Sequence, residues 1–214
     1  MTPYFFQPKS GNKPQSIVLA LHGYGSNGQD LIGLAPEYAE SLPDTLFVSP
    51  DAPFPCEAGF GYQWFSLRNW TPAAMLQGAE TAVSALNNFI DNLLKEHNLP
   101  ANKLALVGFS QGTMMSLFAG PRRKEPLAGI LGYSGALVGG EAMIGNPTIS
   151  KCPVHLIHGD HDTVVPVAAF YHATSTLRMA GFDVGGSVTH GLPHSIDGKG
   201  IEDGAKFLSK VLAA

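Results

Sequence analysis

Apolar runs of strand length alternate along this chain with longer segments of helical period. A chain patterned this way buries itself most readily as a mainly parallel sheet covered by helices on both faces. Residues 16–21 read as a buried strand, followed by Gly-rich turn residues, a helical stretch over 29–41 and a second strand over 46–49. The stretch 51–72 has no clear period but holds Phe54, Phe60, Tyr62, Trp64, Phe65 and Trp70, an aromatic density that marks it as a candidate substrate-facing loop. Thr71 caps a helix with Pro72 at its first position, running to 98, and Ala79, Val83, Leu86, Phe89, Ile90 and Leu93 form its buried face. Strands over 103–109, 128–133, 154–158 and 184–189 alternate with helices over 111–119, 166–180 and 200–212, and residues 135–150 form a loose Gly-rich stretch. No repeat or interdomain linker interrupts the pattern, so the 214 residues read as one domain.

Composition narrows the function classes. A chain that is 44% hydrophobic and 14% charged belongs with packed globular proteins. Its net charge of −4 leaves no electrostatic footprint for nucleic acid, and the short cluster Arg122-Arg123-Lys124 reads as a solvated turn. Residues 1–13 lack the pattern of a secretory signal, and no apolar run approaches the ~18 residues of a membrane span. The expectation is a cytoplasmic protein without stable membrane insertion; whether it forms a homodimer is left open. Cys56 and Cys152 stand far apart, outside any metal-ligand or redox spacing, and read as reduced and structural.

The chemistry centres on Gly108-Phe109-Ser110-Gln111-Gly112, a G-x-S-x-G pattern lying between a predicted strand and a predicted helix. That is the context of a nucleophile elbow, in which flanking glycines allow strand and helix to approach and the serine hydroxyl stands clear of the sheet. Serine is a weak nucleophile near neutral pH, so it needs a base, and the base needs an orienting acid. Both should follow the serine in the chain, at the C-terminal ends of later strands. The strand 154–158 runs into Gly159-Asp160-His161-Asp162, and the strand 184–189 into His190-Gly191-Leu192-Pro193-His194. Spacing alone leaves Asp160 and Asp162 as rival acids and His190 and His194 as rival bases.

Four motifs in order then resemble the bacterial phospholipase/carboxylesterase family, relatives of the acyl-protein thioesterases, and the likeness covers nearly the whole chain. Leu21-His22-Gly23-Tyr24-Gly25 is similar to the family's LHGxG loop, and residues 108–112 to its GFSQG elbow. Residues 158–166 are similar to its HGxxDxxVP loop, and Gly191-Leu192-Pro193-His194-Ser195 to its GxxHS loop. The resemblance implies an α/β-hydrolase fold, and with no inserted helical cap visible between the strands that carry the motifs, no large lid is expected. It also implies Ser110 as nucleophile, Asp162 as acid, His194 as base and His22 as a brace for the oxyanion loop. One oxyanion donor in this fold is the amide after the nucleophile, that of Gln111; the family likeness implies the Tyr24 amide as the second. By the same likeness Trp64 and Phe65 border the acyl groove, against the plainer expectation of an aromatic core under a long loop. The chain departs from the family pattern at Ser26-Asn27, where an acidic residue is usual, and at Ser66, where Trp-Phe is usually followed by Asp. Both departures fall on the substrate side.

The implied activity is hydrolysis of short- to medium-chain carboxylic esters, lysophospholipids or acyl thioesters through an acyl-enzyme, with no cofactor and no metal. Other classes compete. Gly23-Tyr24-Gly25-Ser26-Asn27-Gly28 fits G-x-G-x-x-G after a strand, with Asp51 near the end of the next, which would make a dinucleotide-dependent oxidoreductase. His158-Gly159-Asp160-His161-Asp162 invites a metallohydrolase reading, although His155 and His158, three apart on a strand, point to opposite faces and cannot easily share one ion. A non-catalytic binding protein on the same fold is the third alternative.

Overall fold

The computed structural model describes residues 1–213. In chain order it begins with β1 (Pro3–Phe6), β2 (Ser16–Leu21), α1 (Gly28–Ile32), α2 (Ala35–Ala39) and β3 (Thr45–Pro50). A small hairpin of β4 (Phe54–Pro55) and β5 (Tyr62–Gln63) precedes the long α3 (Pro72–His97). Then follow β6 (Leu104–Phe109), α4 (Gln111–Ala119), β7 (Gly129–Tyr133), β8 (Val154–Gly159), α5 (Ala168–Met179), β9 (Val184–Thr189) and α6 (Gly198–Leu212). Seven strands form one sheet in the order β1-β3-β2-β6-β7-β8-β9. Every neighbouring pair runs parallel except β1 with β3.

Side-chain alternation divides the interior into two cores. Ile17, Leu19, Leu106 and Ile130 face Leu86 and Ile90 of α3, Met115 of α4 and Leu177 of α5. Val18, Phe47, Val107 and Leu131 face the other side, with Tyr38 of α2 and Leu208 of α6. Because both faces are covered, β2 and β3 are buried along their whole length, which is why they appear in the sequence as continuous rather than alternating apolar runs.

The helix expected over 29–41 is two short helices. Pro36 enters at the first turn of α2, and a continuous helix would leave its ring against the carbonyl four residues back, with no N–H to donate. The start of α3 is as the sequence indicated, with Pro72 in the first turn and Thr71 Oγ1 accepting from Ala74 N–H at 3.3 Å. Strand β1 has no counterpart in the sequence reading: four residues with no clean alternation, it is antiparallel and pairs only with β3. Among the described residues no lid domain stands over the sheet; the connection from β3 to β6 adds the β4–β5 hairpin to α3, and the later connections add only short 3-10 turns to α4 and α5. No helix of the described residues is long and apolar enough to cross a membrane.

Candidate active site

Ser110 sits in the tight turn from β6 into α4 with φ 54° and ψ −115°, a conformation that a non-glycine residue adopts only when its surroundings enforce it. Enforcement comes from both sides. A Cβ on Gly112 would run into the carbonyl oxygen of Leu21 at the end of β2, and one on Gly108 into the backbone of Thr113. The Ser110 N–H donates to Tyr133 O at 2.9 Å, tying the turn to β7. The strained turn lifts the side chain off the sheet into a cavity of about 370 Å³ whose wall includes Gly23, Tyr24, Phe109, Met114 and His194.

Asp162, in the loop after β8, has a fully buried carboxylate with every oxygen engaged. Oδ1 accepts from the Val164 and Val165 N–H groups at 2.9 and 2.8 Å, and Oδ2 accepts from His194 Nδ1 at 2.7 Å. His158 adds its Nε2 at 3.3 Å from the same Oδ2 while donating to Val165 O at 2.8 Å. With Nδ1–H committed to a carboxylate, the neutral His194 ring carries its lone pair on Nε2, the tautomer a general base requires. Its ring packs on Phe109, the residue before Ser110, at 4.9 Å between centroids.

The rival acid and base pair with each other instead. Asp160 Oδ2 accepts from His190 Nδ1 at 2.7 Å and Oδ1 from the Gly191 N–H at 2.6 Å, and these bonds hold the Asp160 carboxyl below its ordinary pKa. His190 is 92% exposed in its side chain and is not on the wall of the Ser110 cavity. Asp160 and His190 therefore pin the loop after β8 to the loop after β9, and Asp162 and His194 are the pair turned inward.

Tyr24 and Gln111 flank the serine. Gln111 opens α4, where a backbone N–H has no partner within the helix, and Tyr24 lies on the cavity wall. The loop carrying Tyr24 is held from beneath. His22, fully buried, donates Nδ1–H to Gly23 O at 2.7 Å and accepts the Ala52 N–H on Nε2 at 2.9 Å. Burial, the dominant influence, pushes its pKa down.

Trp64 and Phe65 do not border the groove. Both are buried, 0% and 2% exposed, and neither lines the cavity. Trp64 Nε1–H donates to His22 O at 3.0 Å, and the Trp64 N–H donates to Gln111 Oε1 at 2.9 Å; Gln111 Nε2 in turn donates to Phe65 O at 2.8 Å. The indole needs a partner for its N–H, and it finds one in the loop after β2 rather than at solvent. The two aromatics are struts beneath Tyr24 and Gln111, while Leu67, Trp70 and Val164 are on the wall; of these only Trp70 belonged to the aromatic set that marked the loop in the sequence. The aromatic density of 51–72 signalled the segment but not which of its side chains face out.

The Gly-rich loop after β2 is no dinucleotide cradle. The helix it opens, α1, has five residues, and the buried Asp51 carboxylate is engaged by the Gly28 N–H at 2.9 Å rather than presented to a ribose. His155 and His158 leave opposite faces of β8: the first stacks on Phe207 of α6, while the second turns to Asp162.

A parallel sheet with a strained serine at a strand-to-helix turn, and a carboxylate-bound histidine brought to it from later loops, defines the α/β-hydrolase class. The sequence profile described as Phospholipase/Carboxylesterase matches residues 5–212. The chain belongs to the phospholipase/carboxylesterase family, a family of carboxylic ester hydrolases. It is 30% identical over 198 residues to esterase YpfH of Escherichia coli strain K12, covering 92% of this chain and 84% of that one. It is 28% identical to acyl-protein thioesterase 1 of Emericella nidulans, covering 94% and 92%. Among solved structures, that of esterase PE8 superposes with a TM-score of 0.92 at 41% identity over 99% of both chains.

Proposed function

We propose that this protein is a serine esterase hydrolysing short- to medium-chain carboxylic esters or thioesters, with Ser110 as nucleophile, His194 as general base and Asp162 as its orienting acid. The observation that carries the reading is the 2.7 Å bond from His194 Nδ1 to a buried Asp162, with His194 and Ser110 on the wall of one cavity. His194 Nε2 takes the hydroxyl proton as Ser110 Oγ attacks the acyl carbonyl, and the tetrahedral oxyanion is received by the N–H groups of Tyr24 and Gln111. Collapse expels the alcohol or thiol, which takes the proton from His194. Water then repeats the cycle on the acyl-serine and frees the acid. The cavity wall is largely apolar, with Leu67, Trp70, Met114 and Val164 placed to receive an acyl chain. A thioester leaving group draws support from the acyl-protein thioesterase relatives.

Hydrolysis of a p-nitrophenyl acyl series from acetate to palmitate by wild type and Ser110→Ala tests this. Wild type should turn over with a preference below palmitate, and the variant should lose several orders of magnitude in kcat. Equal activity in both proteins would refute Ser110 as nucleophile.

A further inference from the structure

The Glu57 carboxylate touches two separate segments beside the cavity, at Tyr24 and at residues 66–68, without lining the cavity itself. Oε1 accepts from the Tyr24 phenol at 3.1 Å and from the Leu67 N–H at 2.9 Å. Oε2 accepts from Ser66 Oγ at 2.7 Å and lies 3.2 Å from Arg68 Nε. The carboxylate is carried on a braced turn: the Glu57 N–H donates to Gln63 Oε1 at 3.0 Å, and the neighbouring Cys56 N–H to Gly61 O at 2.9 Å. Only 14% of the side chain is exposed. The Ser66 bond holds the Glu57 carboxyl below its ordinary pKa in spite of burial, so it is a carboxylate at neutral pH.

Tyr24 and Leu67, both on the cavity wall, come from chain segments more than forty residues apart. The segments that carry them are also joined by backbone bonds of the hairpin, Gly25 N–H to Tyr62 O at 2.9 Å and Tyr62 N–H to Ser26 O at 2.7 Å, and by Trp64 Nε1–H to His22 O at 3.0 Å. Glu57 is the charged group joining them, and hydrogen bonds to an ionised acceptor are about twice as strong as neutral ones. We propose that Glu57 is a positioning residue, clamping the 54–68 strap onto Tyr24 so that the oxyanion amide and the Leu67 wall are held in a single geometry. This rests on the Ser110 reading above, and it assigns to this chain a determinant of both rate and acyl selectivity that lies outside the triad.

An oxyanion donor acts through alignment, and complete loss of one costs about 10²–10³ in kcat; loosening one should cost less. Glu57→Ala should lower kcat about tenfold with KM for p-nitrophenyl acetate within about threefold, and should flatten the acyl-length profile as Leu67 loses its anchor. Glu57→Gln keeps a carbonyl oxygen for the Tyr24 phenol and the Leu67 N–H, and should recover kcat to within about threefold of wild type. Tyr24→Phe, which leaves the amide in place, should also lower kcat, and combined with Glu57→Ala it should cost no more than Glu57→Ala alone. The clamp is overturned if Glu57→Ala shifts only the melting temperature, leaving kcat and the profile within twofold, or if the two losses multiply. Should Glu57→Ala fail to fold, Tyr24→Phe and Glu57→Gln decide: an unchanged kcat in Tyr24→Phe overturns the clamp. Stoichiometric labelling of Ser110 by a fluorophosphonate in every variant separates these outcomes from failure of the serine mechanism, in which wild type itself would remain unlabelled.

Discussion

His22 is an imidazole with both nitrogens committed, one donating to Gly23 O and the other accepting from the Ala52 N–H. A second proton would face the Ala52 N–H, donor against donor, inside the core. Its pKa is depressed by burial, so the unfolded chain binds the proton more readily than the folded one, and stability falls as pH drops below the ordinary histidine value of about 6.5 toward the folded pKa. At pH 6, where a solvent-exposed histidine is mostly charged, ring-nitrogen NMR shifts of His22 should still be those of the neutral Nδ1–H tautomer. An imidazolium signal at that pH would contradict the bracing role. Asp162 and Asp160 differ in the direction their carboxylates take, the one toward His194 and the other toward the Gly191 N–H. The sequence places both in one loop with nothing between them but His161, and only the direction each carboxylate takes distinguishes an acid facing the site from a loop staple.

At the scale of elements, α3 and α4 do different work. The 26 residues of α3 cover one face of the sheet, with Ala79, Ala82, Leu86 and Ile90 fully buried. Leu86→Ala should cost about 2–5 kcal/mol, set by how far the site can collapse around the missing atoms, and chemical denaturation would measure it. Because Leu86 is absent from the cavity wall, activity per folded molecule should be unchanged. Helix α4 is buried along its whole length and begins right after Ser110, so its position also sets the Gln111 amide. These helices, with β6 and β9, were legible in the sequence because their caps, glycines and periodicity are local. The break between α1 and α2 had local signals in Gly33, which caps α1, and Pro36, outweighed in the pattern by the apolar spacing around them.

For the whole molecule, the least expected feature is the edge of the sheet. β1 covers β3, Phe6 packs edge-on against Phe47 at 6.2 Å, and the Asp51 N–H reaches back to Thr2 O at 2.8 Å. Without it, β3 would present an unpaired ladder flanked by Phe47 and Val48, a template for intermolecular pairing. Deleting residues 2–7 should lower the melting temperature and produce concentration-dependent light scattering. A variant that melts like wild type and stays free of aggregates would show that β3 needs no cover. Four residues without clean alternation carry no strand signal of their own; β1 exists because β3 offers it an edge.

What the sequence determined alone is what repeats locally or recurs as a motif. The order of strands and helices, the elbow at Ser110 and the two loops that must hold its partners all follow from period, glycine placement and chain order. The tertiary structure decided what depends on direction and closure. It turned Asp162 and His194 inward and paired Asp160 with His190 at the surface. It buried Trp64 and Phe65 beneath the loop after β2, and it put Leu67, Trp70 and Val164 on the cavity wall. Burial of a side chain in an aperiodic loop is set by the elements that close over it, and these lie tens of residues away in sequence, beyond the reach of any local pattern.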